Sequence, residues 1–237
     1  ACQQPVNYYR SLEAADWRKP EMVCPNCQAE ITARLDHVGD EAVVEYVSCD
    51  CQATQLEQRA SPAPVVDLQD LAYPRVEITP DRQMYKASAL GKSGRTTIDR
   101  FYSPRNLAVL TVLREEISHV EDEGLRSKLL FAFTASLTRA SKRYQWSRQR
   151  PLNAANANYY VAPVFYEWNV FDLFLRKVEA SIRSDEWIGQ QLGTGTLFDS
   201  ELDVTYRLGS AASIDLADAS VDYVFTDPPF GSNLFYA

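Results

Sequence analysis

The sequence predicts an α+β protein in four parts: a cysteine-rich ribbon, an irregular connection, a helical middle region, and the first strands of an α/β sheet. Three observations carry this reading. All five cysteines fall within the first 51 of the 237 residues, among short alternating apolar runs. Apolar residues recur at helical spacing between about 104 and 183. The last 17 residues, VDYVFTDPPFGSNLFYA, open as a β-branched and aromatic run and pass straight into Asp-Pro-Pro-Phe. The parts span 1–60, 61–100, 101–190 and 191–237.

In the first part, AEITARLDHV and EAVVEYVSC read as two strands joined by a turn at Gly39-Asp40. QRASPAPVVDL then reads as a linker, and ALGKSGRTTID as a loop. That loop contains Gly-Lys-Ser, but it lacks the full spacing of a phosphate-binding loop. Ser103-Pro104 is an N-cap followed by a first-turn proline. The helix it starts runs to about Val120 and carries Leu107, Leu110, Val112, Leu113 and Ile117. A second helix is expected from about Leu125 to Trp146. A third runs from about Trp168 to Arg183, with Val170, Leu173, Phe174, Val178 and Ile182 on one stripe. DVTYRLGSA and SVDYVFT are the expected C-terminal strands, the second of them buried.

Composition sets limits on function. The net charge is −8, opposite to the basic surface expected of a nucleic-acid binder, although the charge is unevenly spread. No apolar run reaches the roughly 18 residues of a membrane span. The opening ACQQPVNYYRS lacks the regions of a secretory signal. It also lacks an initiator Met, and the chain closes abruptly at LFYA, so it reads as a piece of a longer protein. A processed start is the alternative.

Without a secretory segment, spaced cysteines favour metal over disulfides. Cys24-Pro-Asn-Cys27 and Cys49-Asp-Cys51 are two short pairs with 21 residues between them. Each tight turn can offer two thiolates, half a tetrahedron at about 2.3 Å from a zinc ion. Such a zinc ribbon gains folding energy from the metal, and four thiolates leave no open position for catalysis. The competing reading is a set of buried free thiols. Cys2 is left over as a free thiol, and His37 lies away from both pairs.

Between Leu125 and Tyr166 there is no Asp or Glu. On a helix at about 100° per residue, Leu125, Leu129, Phe133, Leu137, Ala140 and Tyr144 share one face. Lys128, Arg139, Lys142 and Arg143 cluster opposite, as a candidate phosphate-contact surface. The alternative is a solvated face paired with the acidic run at Glu115–Glu123. The aromatic run NYYVAPVFYEW can stack bases or pack in a core.

Asp227-Pro228-Pro229-Phe230 follows its expected strand at once, at the sheet edge where α/β folds bind ligands. The two prolines fix the turn and leave the carbonyls of Asp227 and Pro228 without a following N–H. A carboxylate and a carbonyl beside an aromatic ring suit an exocyclic amino group on a flat heterocycle. Each oxygen accepts one N–H, and Phe230 stacks on the flipped base.

This segment resembles the Asp/Asn-Pro-Pro-Tyr/Phe catalytic motif of S-adenosylmethionine-dependent amino-methyltransferases. The wider match is to the zinc-ribbon-containing, adenine-specific DNA methylases. FYSPRNLAVLTVLREEI, LLFAFTASLTRASKRYQW and EWNVFDLFLRKV resemble that family's central helical segments, and CPNCQ its ribbon. The resemblance implies a Rossmann-like methyltransferase sheet, incomplete in this chain. It implies DNA as partner, S-adenosylmethionine and structural zinc as cofactors, and a prokaryotic cytoplasmic setting such as restriction-modification. Asp227 and the Pro228 carbonyl would position the amine, with Asp favouring adenine N6.

Two departures stand out. No Phe-x-Gly-x-Gly cofactor motif is present, and LGTGTLFD lacks the preceding strand. Ser210 stands where the family usually has Asp. The chain by itself is therefore expected to bind the cofactor poorly and to be inactive, with the cofactor site largely outside it. The rival readings are an RNA amino-methyltransferase acting on guanine N2 or adenine N6, and a non-catalytic zinc-ribbon module that binds nucleic acid. Oligomeric state, including a homo-oligomer or further defence-system subunits, stays open.

Overall fold

The computed structural model describes residues 2–31, 36–48, 55–62, 64–148, 159–192, 209–210 and 212–227. Helix α1 (Tyr8–Ala14) starts at Asn7, whose side chain accepts the Arg10 N–H at 3.0 Å. A 3-10 turn at Lys19–Glu21 leads into a tight loop closed by an antiparallel bridge between Val23 and Glu30. Within it the Cys24 N–H donates to the Ala29 carbonyl (2.8 Å) and the Gln28 N–H to the Cys24 carbonyl (2.9 Å).

Strand β1 (Val44–Val47) pairs antiparallel with β2 (Leu56–Arg59), in the register Val44↔Arg59 to Val47↔Leu56. The expected hairpin across Gly39-Asp40 is not formed among the described residues. Part of its first strand, residues 32–35, lies outside them. The side chains of the intended turn are engaged elsewhere. Asp40 shares a 2.7 Å hydrogen bond with His37 and a 2.7 Å ion pair with Lys142. Glu41 accepts from Arg10 (3.0 Å) and Asn7 (2.8 Å). These side chains are tied to α1 and to Lys142, and β1 pairs with β2, with a Gln58–Glu45 hydrogen bond beside the ladder.

The stretch read as irregular carries structure. Helices α2 (Gln83–Ala87) and α3 (Leu90–Ser93) precede a 3-10 turn at Ile98–Phe101. Helix α3 occupies the Gly-Lys-Ser stretch expected to be a loop. It ends at Gly94, whose φ of +66° is the left-handed conformation a glycine adopts without strain. Ile78, Met84, Leu90 and Phe101 form a buried cluster here, with Tyr102 and Tyr159 against it.

The three expected helices form in order, but the second ends earlier than expected and the third runs nine residues past Arg183. Helix α4 (Pro104–Ser118) has Ser103 as N-cap, with its hydroxyl accepting the Asn106 N–H. Helix α5 (Glu123–Ala140) is capped by Asp122, which accepts the Leu125 N–H at 2.7 Å. Helix α6 spans Val170–Leu192. Their core is Leu110, Ala140, Val170 and Leu173, and Tyr102 packs on this cluster as well as on the first one.

Asn106, only 3% exposed, ties the three helices together. Its Nδ2 donates to the Ala140 carbonyl (3.0 Å) and to the Trp168 carbonyl (3.1 Å). Helix α5 stops six residues before the expected Trp146. Beyond it, 144–146 and 164–166 pair through a bridge between Gln145 and Phe165. Rings then link ribbon to helices: Tyr46 stacks on Tyr166 (5.5 Å), Tyr166 lies against Trp168 (5.9 Å), and Trp168 meets Tyr144 edge-on (5.9 Å).

The expected buried strand SVDYVFT is not a strand. Residues 212–227 form no helix or ladder, and Tyr223, Val224 and Phe225 are 78%, 68% and 80% exposed. A β-branched run becomes a strand only against a neighbouring strand. The backbone hydrogen bonds described here are local, such as Ser220 to Ala217. Most of DVTYRLGSA lies outside the described residues. The described fold is therefore mixed: helices and a two-stranded sheet, an α+β arrangement. None of its helices is long and apolar enough to cross a membrane.

Candidate metal centre and the Asp-Pro-Pro-Phe segment

The tight loop between Val23 and Glu30 presents Cys24 from its buried side and Cys27 from its exposed side. The N-terminal segment brings a third sulfur: Cys2 Sγ lies 3.7 Å from Cys24 Sγ. All three sulfurs fall within 4.8 Å of one another. Two thiolates on one tetrahedral zinc at about 2.3 Å would be about 3.8 Å apart. The cluster thus fits three corners of such a site, and these residues can hold a metal. Cys2 was left over by the sequence because its partners are far along the chain and no short spacing marks it. Cys49 and Cys51 lie outside the described residues, in the connection between β1 and β2.

The thiols differ in acidity. Hydrogen bonds from the Ala29 and Cys2 backbone and from the Cys2 and Cys24 side chains lower the Cys27 thiol to about 7. For Cys2 the Gln4 backbone pulls downward, but the Cys27 side chain, burial and Cys24 together push it up. One easily formed thiolate among neighbouring thiols is the state a soft divalent cation selects. His37 takes no part, being bound to Asp40.

The four cations proposed for nucleic acid do not share one helix face. Lys128 and Arg139 do lie on a common side of α5. Lys128 pairs with Asp185 of α6 at 2.5 Å, and Arg139 sits over the Tyr144 ring at 5.7 Å. Lys142 and Arg143 come after the helix has ended at Ala140. The Lys142 side chain, 12% exposed, reaches back to Asp40, and Arg143 covers the Tyr159 ring at 4.8 Å. The purely cationic wet face is thereby corrected. The helix stops where Asn106 takes the Ala140 carbonyl, and acidic partners arrive from α6 and from residue 40. On the apolar side Leu129, Phe133 and Leu137 are half-buried, whereas Leu125 is exposed.

Of the Asp-Pro-Pro-Phe residues, Asp227 is exposed, and Pro228, Pro229 and Phe230 lie outside the described residues. The described residues gather no cofactor site around Asp227. Aromatic residues of the run before α6 pack inward, Tyr159 on Phe101 and Trp168 on Tyr144, while Tyr160 is 46% exposed. No family model, curated protein or solved structure matches this chain.

Proposed function

We propose that the chain is part of an S-adenosylmethionine-dependent amino-methyltransferase that modifies adenine N6 in DNA. The observation that carries the reading is the sequence Thr226-Asp227-Pro228-Pro229-Phe230. In this reading the Asp227 carboxylate and the Pro228 carbonyl accept the two N–H groups of the target amine. Pro229 holds the turn, and Phe230 stacks on the flipped base. Base flipping costs a few kcal/mol, which stacking on the ring helps to offset. The described residues do not fit S-adenosylmethionine, so the cofactor would be held by other parts of the whole protein. In this reading those parts also complete the Rossmann-like sheet.

The metal in this proposal is zinc, held by Cys2, Cys24 and Cys27 with one further ligand. Its task is structural, fixing the ribbon so that it can lie against nucleic acid. Lys128 and Arg139 are the cations of the proposed set that remain toward solvent for phosphate contact.

A second reading, a zinc-ribbon module that binds nucleic acid without catalysis, is favoured by the exposure of residues 212–227. The test uses the whole protein with methyl-labelled S-adenosylmethionine, offered DNA or RNA, and identifies the modified nucleoside. N6-methyl-2′-deoxyadenosine in DNA supports the proposal. Label in RNA alone transfers it to the RNA enzyme. Binding of DNA with no transfer to either leaves the non-catalytic module.

A further inference from the structure

Arg95 follows the Gly94 turn and is 7% exposed. Its backbone N–H donates to the Leu90 carbonyl at 3.3 Å, but among the described residues its guanidinium makes no hydrogen bond or ion pair. The guanidinium nitrogens keep contact with solvent, so a largely buried cation is presented outward with no anion on it. Asp40 is near enough to favour its charge electrostatically, yet the two Asp40 oxygens are engaged by Lys142 and His37, each at 2.7 Å.

Arg95 lines a cleft of about 390 Å³, together with Arg100, Lys142, His37, Asp99 and Tyr102. The cations outnumber the carboxylates here. Arg95, Arg100 and Lys142 are balanced by Asp99 and by Asp40 behind Lys142. Asp99, also in the cleft lining, brings a carboxylate that can accept from a ligand. The cleft therefore asks for one ligand with an anionic group for Arg95 and an N–H or O–H donor for Asp99. Its size lies in the range of small-molecule sites.

We propose that this cleft binds the phosphate of a nucleotide, with Arg95 on the phosphate and Asp99, which also lines the cleft, accepting from the ribose or base. The nucleotide is either free or a unit of a nucleic-acid strand. The site uses none of the residues of the metal cluster or of the Asp-Pro-Pro-Phe segment, so it does not rest on the methyl-transfer reading. It also gives a role to the Ser93-Gly94-Arg95 turn, which the function so far leaves unused.

The probe is adenosine 5′-monophosphate, titrated by equilibrium dialysis, with adenosine as the phosphate-free control. Binding of the monophosphate but not of adenosine, weakened at least tenfold by Arg95→Met and partly restored by Arg95→Lys, is expected. Should Arg95→Met not fold, the wild-type chain alone decides: its Tm rises with the monophosphate and not with adenosine at matched ionic strength. A single-stranded oligodeoxynucleotide separates the sources. Competition with the monophosphate, and the same loss in Arg95→Met, assigns the site to a strand; absence of competition assigns it to the free nucleotide. No binding of the monophosphate, or binding unchanged by Arg95→Met, overturns the proposal.

Discussion

Replacing Asn106 with Ala removes the two hydrogen bonds that join the end of α5 to the start of α6. A neutral hydrogen bond contributes about 0.5–1.5 kcal/mol net, so the pair amounts to about 1–3 kcal/mol. The substitution also strands the Ala140 and Trp168 carbonyls, since at 3% exposure the site admits little water. We therefore expect a loss of about 2–4 kcal/mol. At about 2–4 °C per kcal/mol for a domain of this size, Tm falls by about 5–15 °C. Urea unfolding followed by fluorescence of Trp146 and Trp168 measures it. Asn106→Asp sharpens the test, because it sets a carboxylate against two carbonyl oxygens. That carboxyl takes a raised pKa when folded, so its penalty grows as pH rises from about 4. A loss below about 0.5 kcal/mol for Asn106→Ala, or a pH-independent penalty for Asn106→Asp, would refute the clamp.

Other consequences follow from the same geometry. Purified protein should carry about one zinc per chain. Cys2→Ser should weaken its retention against a chelator by at least the tenfold that loss of even an outer partner costs; unchanged retention removes Cys2 from the site. Lys142→Met should cost about 1–2 kcal/mol, between the values for exposed and buried pairs. Asp40 is pushed up by burial, but Lys142 and His37 outweigh this and hold it below its ordinary 3.8. Its contribution is thus present above pH 3.8 and lost as pH falls through the lower folded-state value. Lys142→Met should flatten that acid limb in equilibrium unfolding, and an unaltered limb would show the pair to be inert.

What the sequence made legible was local. Ser103-Pro104 announces α4 because cap and first-turn chemistry are set by adjacent residues. The α6 stripe holds at Val170 and Leu173, while Ile182 on the same stripe is 51% exposed. What it hid was tertiary. Nothing in Lys142 announces a partner at Asp40, and nothing in Cys2 announces Cys24. The β2 partner of β1 was missed because its run, Leu56–Arg59, has one apolar residue and no alternation to mark it. The run at 221–226 has strand composition but no strand beside it among the described residues. Nothing in the sequence around Arg95 announces the cleft that it lines, because lining residues such as His37 and Lys142 come from distant parts of the chain.

The central claim, that Asp227 holds an amino group for methylation, is tested most directly by substituting that residue in the whole protein. DNA incubated with S-adenosylmethionine is digested, and N6-methyl-2′-deoxyadenosine is quantified by mass spectrometry. Asp227→Ala should abolish the product while thermal stability and zinc content are unchanged. Asp227→Asn, which keeps an acceptor oxygen, should retain part of it. Equal product from wild type and Asp227→Ala would contradict the account.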